Sequence, residues 1–198
     1  MFSQFDTWNY KNWVLTGAVT FYESEVDINA CIITENSCED ALNIIRSTFD
    51  ISNLTVSNTF ADGFDADFCK GKIEKSRFLN TGNDGMDFSG SDLVIRDCSV
   101  ERAGDKGISV GEESKVDAIG LDIKNAVLGV AAKDLSFFYI KDLKLTDCEQ
   151  GFAAFRKKPE YGGGFIYAKE YTVENVTTLH VIEQGSKLEL DGTVVNSK

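Results

Sequence analysis

Glycines stand at Gly63, Gly85, Gly107, Gly129 and Gly151, each 22 residues after the one before. A fixed period of this length marks a stack of repeated units, each resting mainly on its neighbours. The apolar residues keep the same beat. Each glycine is followed by a pair spaced by two: Phe64/Ala66, Met86/Phe88, Ile108/Val110, Val130/Ala132 and Phe152/Ala154, with Val19/Phe21 and Leu42/Ile44 ahead of them. A second pair follows, as in Val26/Ile28, Phe49/Ile51, Leu93/Ile95, Val116/Ala118 and Phe138/Ile140. A third begins three residues later: Cys31/Ile33, Leu54/Val56, Ser76/Phe78, Cys98/Val100, Leu121/Ile123 and Leu143/Leu145. Spacing of two puts both members of a pair on one face of a strand. No segment carries a helical stripe, and the LxxLxL signature of leucine-rich repeats is missing. The chain is therefore predicted to be all-β, a parallel β-helix of about seven coils, each of about 22 residues with three short strands.

The turns agree. Only two residues separate the second and third strands. The second of them is Ala30, Asn53, Lys75, Asp97, Gly120, Asp142 and, in the last coil, Asn175. Asn, Asp and Gly dominate because this bend needs a left-handed backbone. On these features, residues 13–195 resemble the pectate-lyase-like superfamily of right-handed parallel β-helices. The phrases NDGMDFSGSDLVI, GDKGISVGEES and FRKKPEYGGG also resemble β-helical regions of large bacterial surface proteins, some associated with spore-coat kinase-like domains. The resemblance implies a secreted or cell-surface protein of a bacterium.

Residues 1–198 read as one domain, interrupted by a loop at 155–164 that holds the only proline and a glycine triplet. Phe5, Trp8 and Tyr10 repeat the spacing of Ile28, Cys31 and Ile33, so residues 1–12 read as the back half of a coil. Leu188/Leu190 read as the opening of a further coil. The expectation is a piece of a longer stack, or one that self-associates through its open ends. Trp8 and Trp13 are expected in a core or interface, and Lys157, Lys158 and Lys169 on a solvated face.

Cys31 and Cys98 share an inward slot three coils apart, about 14 Å at the strand spacing, too far for a disulfide. The remaining cysteines (Cys38, Cys69, Cys148) have no adjacent partner, so no disulfide is predicted. Twenty basic residues face 32 acidic ones, a net charge of −12, which disfavours nucleic acid as a partner. No run approaches the roughly 20 apolar residues of a membrane span, so no membrane insertion is expected.

Side chains between the inward pairs point outward. On the first strand they form the row Thr20, Asn43, Asp65, Asp87, Ser109, Ala131 and Ala153. The next outward row is Tyr22, Ile45, Asp67, Ser89, Gly111 and Lys133, and Asp62, Asp84 and Lys106 precede the strand. Stacked carboxylates repel one another unless a cation binds, a carboxyl keeps its proton or solvent screens them. The resemblance implies polysaccharide as a partner, because lyases and hydrolases of that superfamily use this face. Acidic polysaccharide is the expected ligand. Asp87, Asp84 and Lys106 are the candidate catalytic residues, Lys106 as the base of a lyase. Asn43, Asp62 and Ser109 are candidate substrate contacts. Asp65, Asp67 and Asp87 are candidate ligands for Ca²⁺. The superfamily's Gly-His-Gly pattern is missing, since the single histidine is His180. The alternative is a non-catalytic stalk or adhesion module.

Overall fold

The computed structural model describes residues 1–195, and all regular structure among them is strand. Among the described residues no helix is long and apolar enough to cross a membrane. The predicted first strands stack into an eight-stranded parallel sheet running from Gly17–Tyr22 to Thr178–Ile182. The stack thus has about eight turns rather than seven. The second and third strands join a larger sheet, and from Asp92–Ala103 onward they form one continuous strand per coil. The two merge because their connection is only a sharp bend. Asn53, Lys75, Asp97, Gly120 and Asp142 all take positive φ there, between 49° and 73°.

The inward pairs build one continuous core. Leu42, Ile44, Phe64, Ala66, Met86, Phe88, Ile108 and Val110 are wholly buried, as are Ile51, Val56, Phe78 and Phe138. Phe49, Phe64 and Phe88 meet edge to face, at 5.5 and 5.7 Å between centroids. The periodic glycines have a steric cause. A Cβ on Gly85 would lie 2.6 Å from the Gly107 carbonyl and from a methyl of Val100. The first turn carries an internal ladder of small polar side chains. Ser47, Ser91 and Ser114 accept the backbone N–H of Ser24, Cys69 and Ser91 at 2.9–3.0 Å. These hydroxyls satisfy amides that a bare turn would bury unpaired. All five cysteines are free thiols, and Cys69 holds a place in this ladder.

The ends depart from the sequence reading. Phe2, not Tyr10, pairs with Ile33. Residues Trp8–Tyr10 and Trp13–Leu15 form an antiparallel hairpin, and Trp8 and Trp13 are 66% and 51% exposed rather than core. At the far end Glu170, not Asn175, makes the second-turn bend, because Lys169 pairs with Lys141 while Glu174 pairs with Thr146. Leu188 and Leu190 pair with Ile166 and Ala168, so they continue the second strand instead of opening a new coil. An antiparallel strand, Thr193–Val195, folds back on them. The cause is the loop after Phe155. It lengthens that coil, so Phe152 pairs with His180, 28 residues on.

Candidate functional site

Strand register brings the outward residues into the expected rows. Asn43, Asp65, Asp87 and Ser109 lie side by side on successive strands, as do Ile45, Asp67, Ser89 and Gly111. Successive strands are about 4.8 Å apart. Their carboxylates are half-buried, and the polar groups around them divide into struts and a central pair.

Asp62 and Asp84 are struts. Asp62 accepts the Asp84 backbone N–H and the Asn83 amide, both at 2.7 Å. Asp84 repeats this one coil on, accepting the Lys106 backbone N–H at 2.9 Å. Asp84 is 1% exposed, so no substrate reaches it. Burial pushes both carboxyls up to about 6, against these hydrogen bonds. Lys106 Nζ lies 3.2 Å from Asp84 and also contacts Asp105. Burial favours its neutral form, but the Asp84 charge and the Asp105 hydrogen bond outweigh burial and hold the ammonium above the usual lysine range. A lyase base needs the opposite shift. Asp84 and Lys106 therefore form a structural ion pair and are removed from the catalytic role the sequence suggests.

Asp65 and Asp87 form the centre. Burial pushes the Asp65 carboxyl up to about 9, and the charges of Asp67, Asp40, Asp87 and Asp62 add to the shift. At neutral pH it holds its proton. Asn43 lies 4% exposed between Asp40 and Asp65, donating Nδ2 to them at 2.8 and 3.3 Å. It positions Asp65 rather than offering itself to ligand. Asp87 has a different partner. Lys133 Nζ stands 3.3 Å from its Oδ1, and the lysine side chain is only 4% exposed. The lysine crosses a whole coil to get there, packed where Gly111 leaves space; a Cβ on Gly111 would lie 2.6 Å from its Cε. Asn43 Oδ1 and Ser109 Oγ, at the two ends of this row, are buried with no hydrogen-bond partner.

Asp67 is pushed up by burial and by the charges of Glu112 and Asp87. Glu112 is bridged by Lys158, which the 155–164 loop delivers. Asp134 Oδ1 fixes that loop by accepting the backbone N–H groups of Lys157 and Lys158 at 2.7 and 2.8 Å. Lys158 thus belongs to the acidic face, whereas Lys169 lies on another sheet. Among the described residues, no three carboxylate, His or Cys groups converge where a metal ion could sit.

Two exposed aromatics, which the sequence reading did not find, flank the centre. Phe60 and Phe68 bracket strand Asp62–Asp67 and are 71% and 58% exposed. Phe68 has φ 54° and rests on Gly90. A bulky residue at positive φ costs on the order of 1 kcal/mol or more. The neighbouring coils place Arg46, Gly90 and Glu112 at their equivalent left-handed bends, which is the sequence signal that was available.

Fold and face together define a parallel β-solenoid with a carboxylate centre on its first sheet. The family of right-handed beta helix regions matches residues 40–195, and the chain belongs to that family. No curated protein matches it. Among solved structures, the catalytic domain of GH87 alpha-1,3-glucanase in complex with nigerose is 10% identical, with a TM-score of 0.39 over 86% of this chain and 48% of that one. A variant of that domain in complex with tetrasaccharides is 12% identical, with a TM-score of 0.45 over 86% of this chain and 48% of that one. The chain spans about half the length of those domains, and the likeness is one of fold alone.

Proposed function

We propose that this face binds a polysaccharide and hydrolyses it, with Asp65 as the acid and Asp87 as the carboxylate. The observation that carries the reading is the pairing of two unlike carboxyls. Asp65 is kept protonated by burial, while Lys133 supports the charge of its in-register neighbour Asp87. Glycoside hydrolysis needs such a pair. Neighbouring strands about 4.8 Å apart suit a retaining geometry, in which the carboxyls are roughly 5 Å apart. Asp65 would protonate the glycosidic oxygen while Asp87 bonds to the anomeric carbon and the leaving sugar departs. Water activated by Asp65 would then cleave the ester. Phe60 and Phe68 offer ring faces to pyranose units.

The electrostatics favour a neutral glycan over an acidic one. Lys106, Lys133 and Lys158, the lysines reaching this face, are each held by a carboxylate. A uronate would meet Asp62, Asp65, Asp67 and Asp87, with the lysines nearest them already paired, unless Ca²⁺ were recruited between them. With a polymeric glycan as substrate, we infer that the working protein acts outside the cell or on its surface. The test is release of reducing ends from neutral glucans, mannans and xylans, and from pectate and alginate. Asp65→Asn and Asp87→Asn should each lower hydrolysis at least about 100-fold with the glycan still bound, and Phe68→Ala should weaken binding. Binding without cleavage in the unsubstituted protein would favour the adhesion-module alternative. No binding of any neutral glycan would sink the proposal.

A further inference from the structure

A different sheet carries a second, oppositely charged feature. In the second-strand region the outward rows are Lys115, Phe137, Phe165; Asp117, Tyr139, Tyr167; and Arg96, Ile119, Lys141, Lys169. Their rings stack along the helix axis. Phe137 and Phe165 are 4.7 Å apart at 11°, and Tyr139 and Tyr167 are 5.1 Å apart at 14°. Lys187 Nζ closes one end of the tyrosine stack, 4.8 Å from the Tyr167 ring. At the other end the next rung is Asp117, which has no ring. The outer face of Tyr139 therefore borders a shallow depression, and Tyr139 is 40% exposed.

The charged groups lining that depression are Arg96, Lys141, Lys169 and Asp117. Three cations against one carboxylate give a local charge of +2 on a chain whose net charge is −12. Among the described residues Arg96 and Lys169 make no ion pair. Lys141 meets Glu170 at 3.2 Å, with both side chains more than half exposed, a contact worth little in water. Arginine also presents a planar fork matched to a carboxylate.

We propose that this depression binds an acidic glycan. One uronate ring would take the vacant rung against Tyr139, its carboxylate on Arg96, with Lys141 and Lys169 receiving the next acidic unit. Asp117 would accept a ring hydroxyl. The proposal does not depend on the hydrolytic reading of the first sheet, because it uses other residues and the opposite charge.

The test is calorimetric titration of the whole protein with tetragalacturonate and, separately, cellotetraose. Tetragalacturonate should bind in the micromolar to millimolar range, with affinity falling as salt rises. Tyr139→Ser and Arg96→Gln, both surface changes, should weaken it about ten-fold or more, whereas Asp65→Asn/Asp87→Asn should leave it unchanged. The proposal would be overturned by no heat with tetragalacturonate at millimolar concentration, by undiminished binding in both variants, or by loss of binding in the Asp65→Asn/Asp87→Asn protein. The last would move acidic glycan to the first sheet. Cellotetraose binding as tightly at Tyr139 would equally refute the charge argument.

Discussion

Replacing Asp65 with asparagine should make the protein more stable at mildly alkaline pH. The carboxyl ionises at about 9 in the fold and at its ordinary 3.8 in the unfolded chain. Between those values the folded state holds a proton that the unfolded state has lost. Stability therefore falls as pH rises through this window, by at most about 1.4 kcal/mol per pH unit for one group. From about pH 5 to pH 8 the ceiling is roughly 4 kcal/mol. Asp65 is partly exposed, and its neighbours share the repulsion, so about 2 kcal/mol is the expected change. Asparagine has no proton to lose and nearly the same shape. In a chain of this size 1 kcal/mol moves the melting temperature by about 2–4 °C. The melting temperature of the Asp65→Asn variant should gain about 4–8 °C on that of the parent between pH 5 and pH 8. Calorimetric melts of both proteins across that range decide it. Parallel curves would mean that Asp65 is ionised in the fold, and the acid–carboxylate argument would fall with it.

Three further perturbations test other parts of the reasoning. Lys133→Met leaves Asp87 half-buried without its cation and should cost about 2–3 kcal/mol by denaturant unfolding, most of it regained in Lys133→Met/Asp87→Asn; additive losses would show that the pair does not interact. Gly85→Ala forces a Cβ to within 2.6 Å of the Gly107 carbonyl and should destabilise by about 2 kcal/mol or more, and a neutral result would disprove the close stacking. Calcium binding at Asp65 and Asp87 must displace the Asp65 proton, so its affinity should climb between about pH 7 and pH 9.5; an affinity independent of pH would separate any calcium site from this pair.

The interior was legible in the sequence because strand alternation and a constant period leave one register for the inward pairs. The same period carries Asn43, Asp65, Asp87 and Ser109 into one row. The reading failed where the period fails. The loop after Phe155 lengthens one coil, so the bend falls on Glu170, where the spacing of the apolar residues after the loop suggests Asn175. At the start, Tyr10 mimics the spacing of Ile33 yet turns back on Trp13. Lys133 was hidden for another reason. Its partner is 46 residues away, two coils off, and only the gap at Gly111 lets the side chain through. Phe60 and Phe68 escaped notice because they occupy bends, where aromatic side chains are not expected.

That reach across coils changes how the stack should behave as well as what it does. A repeat protein coupled only between nearest neighbours gains stability coil by coil. Here the charges of the acidic coils are answered from farther along the chain: Lys106 answers Asp84 one coil on, while Lys133 answers Asp87 and Lys158 answers Glu112, each 46 residues on. The acidic rows are therefore costly in the coils that carry them and tolerable only once two later coils have folded. Nothing in the core demands this, since the inward pairs of those coils are as apolar as any others. A stability cost confined to outward positions, and relieved by lysines reaching in from later coils, is the pattern expected where a surface has been shaped for chemistry. It is also the reason the functional reading rests on Asp65, buried among other carboxylates, and its in-register neighbour Asp87, paired with a lysine, and not on the number of aspartates around them.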